Sequence, residues 1–275
     1  VRIDLHTHST VSDGTESPAD VMRSAHAAGI DVVALTDHDS MAGLEDAAEM
    51  AAALGMNFVP GIEVSCRHDG ISVHLLAYWP DPSDEEVIAM LGLTRDARLD
   101  RAKEIVRRVG ADYPLVWDDV LAQSGGAETV GRPHIADALV TRGVFATRDD
   151  AFAKVLAGNS AYYVPHYAPE VFDAIRTFRA TGAVTVFAHP GADGRGKVVP
   201  TSVIELMADA GLVGLEVEHR DHNEPQRDRL ARIAQRLGLV HTGASDYHGT
   251  GKVNRLGENV TSDAALHQLQ DARGR

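Results

Sequence analysis

Arg2-Ile3-Asp4-Leu5-His6-Thr7-His8 opens the chain, and Ser12-Asp13-Gly14-Thr15 follows a few residues later. Ile3 and Leu5 alternate with polar residues, the period of a half-buried strand. Residues two apart on a strand point to the same side. His6 and His8 therefore bring two imidazoles together where the strand gives way to a loop, and Asp13 adds a carboxylate on a glycine-containing turn. These residues form the lip of a metal site whose other ligands must come from farther along the chain.

Working outward, one pattern repeats. Ser17 is placed to cap a helix, with Pro18 at its first position and Asp20 near its positive end; the helix stops at Gly29. Val32-Val33-Ala34-Leu35-Thr36 reads as a buried, parallel-type strand ending in Asp37-His38-Asp39. A helix from Leu44 to Leu54 leads to the strand Phe58–Val64, which carries Glu63. A hairpin through Asp69-Gly70 then returns the chain along Val73–Tyr78, which carries His74. Such alternation, with polar residues gathered at strand C-termini, predicts an α/β barrel.

The rhythm breaks between about residues 83 and 165. Asp84–Arg108 has long helical periodicity and many charges, most simply a solvated face with ion pairs. Shorter helical pieces follow at Pro133–Arg142 and Arg148–Leu156. The expected organisation is a barrel from residues 1–82 and 165–275, with residues 83–164 as a helical insertion over its mouth. The alternation resumes with a helix over Pro169–Thr181 and the strand Val184–Ala188, ending at His189-Pro190. Strands at Gly214–Val217 and Leu239–Gly243 follow, separated by helices, and the last leads into Ser245-Asp246-Tyr247-His248-Gly249. The tail from Ser262 reads as a short terminal helix.

Composition narrows the function. With 275 residues, 44% of them hydrophobic, the chain can bury a sizeable core. A net charge of −14 argues against broad capture of duplex nucleic acid or an anionic membrane. A short anionic substrate stays compatible, because bound cations reverse the local field. The lone Cys66 excludes an internal disulfide framework, which makes the cytoplasm the expected compartment. Neither a leader nor an apolar run of membrane-spanning length is visible.

Of 14 histidines, several recur at one structural location. His6, His8, Asp13, His38, Glu63, His74, His189, Asp246 and His248 all fall at or near strand ends. Burying so many polar side chains without a metal would be costly. Imidazole and carboxylate ligands suit Zn, Mn or Fe.

The ordered series His6-Thr7-His8, Ser12-Asp13-Gly14-Thr15, Thr36-Asp37-His38-Asp39, Gly61-Ile62-Glu63-Val64-Ser65, His74, Ala188-His189-Pro190 and Ser245-Asp246-Tyr247-His248-Gly249 resembles the polymerase and histidinol phosphatase (PHP) family. Each piece is weak alone, but the series in this order, over about residues 2–260, is specific. Gly131-Arg132-Pro133-His134-Ile135-Ala136 is similar to the subgroup of nucleoside 3′,5′-bisphosphate phosphatases and 5′-to-3′ exoribonucleases acting on short RNA. The resemblance implies a distorted (β/α)7 TIM-like barrel and two or three divalent ions, Mn, Fe or Zn. One ion would be held by His6, His8, Glu63 and Asp246. A second would share Glu63 and add His74 and His189, and a third would take Asp13, His38 and His248.

The expected reaction is metal-activated hydroxide attack on the phosphorus of a phosphomonoester. The substrate would be a nucleotide or the 5′ end of short single-stranded RNA, with neither duplex nucleic acid nor membrane as partner. Glu63, His38, His189 and His248 stand closest to the chemistry, with Asp37 orienting neighbouring ligands. Arg132 is the first candidate to grip the phosphate, because its fork matches phosphate oxygens; His134 and His219 come next. Arg195 and Lys197 lie on a Gly-rich loop that is shorter in the subgroup, which leaves them without an assigned role. The competing expectations are a phosphatase for histidinol phosphate or another small molecule, and a non-catalytic metal-binding accessory domain.

Overall fold

A computed structural model of the chain describes residues 1–274. Seven strands lie side by side in sequence order: β1 (Ile3–Asp4), β2 (Val32–Leu35), β3 (Asn57–His68), β4 (Ile71–Tyr78), β5 (Val184–Phe187), β6 (Gly214–Glu218) and β7 (Val240–Gly243). Neighbours are parallel except at β4, which runs antiparallel to both β3 and β5. The reversal comes from the hairpin turn at Asp69-Gly70, where both residues have positive φ (46° and 76°) as a tight hairpin turn requires. Bridges from Thr7 to Tyr247 and from Ile3 to Thr261 bring the two edges together, so the sheet is a nearly closed, distorted (β/α)7 barrel.

Ile3, Leu5, Ala34, Val59, Leu76, Tyr78, Val186 and Val240 form one buried cluster drawn from six of the seven strands, the inside of the barrel. The terminal helix, Asp263–Ala272, adds Leu266 and Leu269 to that cluster. Outside, α1 (Pro18–Ala27) and α2 (Leu44–Ala53) pack over β2. Ser17 caps α1 as the sequence suggests, its hydroxyl accepting from the Asp20 N–H.

Between β4 and β5 the chain is helical. The first of these helices, α3 (Glu85–Val109), has 25 residues and spans roughly 37 Å at the α-helical rise. Val87 and Leu91, in its first half, are buried in the same core as β3 and β4. Ala102, Ile105, Val106 and Val109, in its second half, belong to a separate core with α4 (Trp117–Ser124) and α5 (Arg132–Thr141). One continuous helix is thus shared by the barrel wall and a separate helical core.

The helix expected over Arg148–Leu156 differs in detail. A short α-helical turn at Arg148–Ala151 passes into a π-helical turn at Phe152–Leu156. Arg132 stacks over the Phe152 ring and donates to the Leu156 carbonyl, which supplies a partner at the irregular end. Among the described residues no helix is long and apolar enough to cross a membrane.

Candidate active site

The mouth of the barrel carries the histidines and carboxylates singled out in the sequence. His6 and His8 lie just beyond β1, with their Nε2 atoms 3.1 Å apart. Glu63, 1% exposed, sits at the centre. Its Oε2 is 3.3 Å from His6 Nε2, 3.1 Å from His8 Nε2 and 3.2 Å from His38 Nδ1. Its Oε1 is 2.8 Å from His74 Nδ1 and 3.1 Å from His189 Nε2. Asp246 Oδ1 faces His6 and His8 at 3.5 and 3.4 Å. Asp13 closes the other flank, 3.2 Å from His248 Nε2 and 3.9 Å from His38 Nε2. The Asp13 turn folds back closely on His8: a Cβ on Gly14 would lie 2.5 Å from the His8 carbonyl oxygen, so only glycine fits.

Strand ends position these groups at some cost in backbone comfort. Asp39, His189 and Asp246 hold φ of 53°, 32° and 55°, a region L-residues rarely occupy and one that collects at functional sites. Asp39 accepts from the Ser65 N–H and from Arg98 Nη1. Asp37 accepts from the Ser9 amide and from the Ser9 and Ser12 hydroxyls, so it braces the turn that leads to Asp13.

The donor set fits divalent cations. His6 Nδ1 is 3.1 Å from Glu216 Oε1, and an ionised Glu216 accepts a hydrogen bond from Nδ1–H, leaving the Nε2 lone pair turned toward Glu63, His8 and Asp246. His248 Nδ1 donates to the Asp246 carbonyl, so its Nε2 lone pair faces an Asp13 oxygen with no proton between them. His248 Nε2 and His38 Nδ1 are buried and lack hydrogen-bond partners among the described residues. Lone pairs that converge in this way need a cation among them. The donors fall into overlapping sets: His6, His8 and Asp246; His6, Glu63 and His189; His38, Glu63 and His74; and His8, Asp13, His38 and His248.

Charge tells the same story. Burial alone would push Glu63 up, yet His38, His74 and His6 hold it well below the usual carboxylate range. Burial works against protonation of His8, but Asp246, Glu63 and Asp13 push it up to about 9. Without cations, the carboxylates recruit protons in their place.

The remaining imidazoles set the acid response. Burial, helped by neighbouring cations, lowers His38 and His189 well below 6.5, His248 to about 4 and His166 to about 3. An unfolded chain binds protons at these groups below 6.5 while the folded one does not, so stability falls with pH over that window. The raised His6 and His8 act in the opposite sense: their contribution is complete below 6.5 and is lost at higher pH, that of His8 as pH rises through about 9. Asp13, Glu63 and Asp246, held low, yield only in stronger acid. Chelator-treated protein should therefore melt at a lower temperature at pH 5 than at pH 7 in scanning fluorimetry. A flat or rising melting temperature would contradict these assignments.

Above the cluster lies a cavity of about 1460 Å³, lined on the cap side by Arg98, Arg101, Arg132, His134 and His166. Arg101 Nε donates to the Val164 carbonyl and Arg132 Nη1 to that of Leu156; neither has a carboxylate partner among the described residues. Burial, then the charges of Arg132 and Arg98, push Arg101 down to about 9, still a cation at neutral pH. His134 is buried, and its Nδ1 accepts from the Gly131 N–H, leaving the ring proton on Nε2. His219 is likewise buried; its Nδ1 accepts from the Asp221 N–H.

Some site residues escaped the sequence. Glu216 also accepts from the His189 N–H and is a buried carboxylate inside an otherwise apolar strand, a pattern visible in Gly214-Leu215-Glu216-Val217. Arg98 and Arg101 lie three apart on the charged helix, the spacing of one helical face. Lys252, on the loop after β7, carried no pattern that would have marked it. Cys66 is buried with its thiol pushed up by that burial, as suits a packing residue.

Comparison with known proteins agrees. A PHP domain family model matches residues 4–122. A 3′,5′-nucleoside bisphosphate phosphatase from Chromobacterium violaceum is 33% identical, over 92% of this chain and 89% of that one. A 5′-3′ exoribonuclease from Haemophilus influenzae is 32% identical, over 94% of each chain. A solved structure from Bifidobacterium adolescentis, described as a metal-dependent phosphoesterase, superposes with a TM-score of 0.96 at 42% identity, covering 99% of this chain and 96% of that one. A barrel mouth filled with imidazoles and carboxylates, together with these likenesses, places the chain in the PHP family, as a metal-dependent hydrolase of phosphate esters.

Proposed function

We propose that the substrate is a nucleotide carrying a phosphomonoester, a nucleoside 3′,5′-bisphosphate, or the 5′ end of a short single-stranded RNA. The supporting observation is the pair of half-buried guanidiniums, Arg101 and Arg132, held by backbone carbonyls without acidic partners among the described residues, beside the ligand cluster of a chain with net charge −14. Cations left unpaired in an acidic protein are costly unless an anion visits them. The names of the similar phosphatase and exoribonuclease point the same way.

In this reading two or three divalent ions, Mn, Fe or Zn, are held by three groups of residues. His6, His8, Glu63 and Asp246 form one, Glu63 with His74 and His189 a second, and Asp13, His38 and His248 a third. Bound there, they supply Lewis acidity toward the phosphoryl oxygens and make water nucleophilic near neutral pH. The chain does the rest. Arg132 and Arg101 anchor a terminal phosphate, and His134 offers its Nε2–H to a phosphate oxygen. Glu216 keeps His6 in one tautomer and, through the His189 amide, fixes the end of β5. Asp37 holds the Asp13 turn against the cluster. Residues 83–164 act as the cap that supplies the anion grip, and the protein works in the cytoplasm on small phosphorylated substrates.

The test is phosphate release from adenosine 3′,5′-bisphosphate, short 5′-phosphorylated RNA, a cyclic nucleotide and histidinol phosphate, each with Mn, Fe and Zn. Turnover of either of the first two, well above histidinol phosphate, is expected. Turnover of histidinol phosphate alone, or bound metal with no hydrolysis, would overturn the reading.

A further inference from the structure

Asp246 divides its two oxygens between two surroundings. Oδ1 faces His6 and His8 of the ligand cluster. Oδ2 takes Arg195 Nη2 at 2.7 Å and Lys252 Nζ at 3.0 Å, with His219 Nε2 at 3.5 Å. Once Asp246 spends charge on cations bound beside Oδ1, its other oxygen and Asp221 no longer neutralise the two positive charges in full. Asp221 takes Arg195 Nε at 2.5 Å, but Arg195 Nη1 has no acceptor among the described residues. Lys252 Nζ has three protons and one named acceptor.

His219 adds an independent sign. The ring is 0% exposed and its Nδ1 accepts from the Asp221 amide, so in the neutral ring Nε2 carries the proton. That Nε2 is buried without a hydrogen-bond partner among the described residues and lies 3.5 Å from the Asp246 Oδ2 that the two cations share. A buried donor left open is expected to meet an acceptor in the working state.

Position gives this group its meaning. Arg195 follows β5, His219 follows β6 and Lys252 follows β7, whereas Arg98 is tied to Asp39 and Ser65 at the ends of β2 and β3. With strands in sequence order around the barrel, the two cationic groups stand on different sides of the ligand cluster, and Arg195, Lys252 and the cap arginines line one cavity. Its 1460 Å³ exceeds the ~300–1,000 Å³ of usual small-ligand pockets. We infer that Arg195 and Lys252, with the His219 Nε2–H, form a second anion subsite that takes the phosphodiester next to the scissile one. The preferred substrate is then an oligonucleotide rather than a mononucleotide. This rests on the reading above, in which the cap arginines anchor the terminal phosphate and the cluster holds the scissile one.

The experiment compares a 5′-phosphorylated trinucleotide with adenosine 3′,5′-bisphosphate, using wild type, Arg195→Ala, Lys252→Ala and Arg195→Lys. Wild type should favour the trinucleotide by about tenfold in kcat/KM, roughly the value of one charge-assisted phosphate contact. Each alanine variant should raise KM for the trinucleotide about tenfold with kcat within about threefold, and Arg195→Lys should recover part of the loss. Metal content by elemental analysis should match wild type; a parallel loss of metal would mean the pair only braces Asp246, and the subsite would be wrong. Calorimetric binding of a hydrolysis-resistant phosphorothioate trinucleotide to the Mn-loaded protein is read beside turnover, so a failure of the phosphatase reading shows separately. There Arg195→Ala should weaken binding about tenfold. An unchanged Kd, or a wild-type preference for the bisphosphate, would overturn the proposal.

Discussion

Replacing Glu63 by alanine is expected to lower kcat/KM by at least about a thousandfold, ~4 kcal/mol of transition-state stabilisation. The same change should strip the protein of most of its metal. Five imidazoles, from His6, His8, His38, His74 and His189, lie within 3.3 Å of its two oxygens. Asp13 and Asp246 each face fewer rings: Asp13 lies near His38, His248 and His8, and Asp246 near His6, His8 and His248. Glutamine in its place keeps the shape and discards the charge, so Glu63→Gln should lose metal too, to a smaller extent. The check is elemental analysis beside turnover at saturating Mn. Full metal content with near-normal activity in Glu63→Ala would show that the cluster is not organised around this carboxylate.

The second large effect is expected at the cap. Arg132→Ala and Arg101→Ala should each raise KM for a phosphorylated substrate by about 10- to 100-fold while leaving kcat within about threefold, the pattern of lost anion binding. Their stabilities should separate them. Arg101 is half-buried among like charges, so the repulsion its removal relieves offsets the lost bond to the Val164 carbonyl, and the melting temperature should hold, a common trade at binding sites. Arg132 packs on Phe152 and satisfies the Leu156 carbonyl, so its removal should cost about 1 kcal/mol. Calorimetric melting and steady-state kinetics on the same preparations decide. A fall in kcat with KM unchanged would place these arginines in the chemical step instead.

The barrel and the ligand cluster were legible for one reason. His6, His8, His38, His189 and Asp246 close short apolar runs, and α/β barrels set their chemistry at strand ends. Even the reversed β4 was marked, by Asp69-Gly70. What stayed hidden carries no period of its own. Glu216 lies within a strand, where a lone carboxylate reads as an exception to a buried pattern. Arg98 and Arg101 sit on a helix whose charges have both signs, and near its end Arg107 and Arg108 do form the exposed pairs with Glu104 that such a helix suggests. Nothing in the local sequence separates arginines facing solvent from those facing a cavity; only the course of α3 across the barrel wall does. Arg195 and Lys252 stand on loops, where side-chain direction depends on closure of the whole barrel.

That long helix has a mechanical consequence. Because α3 is rooted among β3 and β4 and ends in the helical core with α4 and α5, that helical segment is an extension of the wall and not a flap on a flexible joint. Swinging it clear would require bending an unbroken rod or tearing apolar side chains out of two cores at once. The cavity is lined on its other side by the loops after β5, β6 and β7, so a substrate is expected to enter past those loops with α3 left in place.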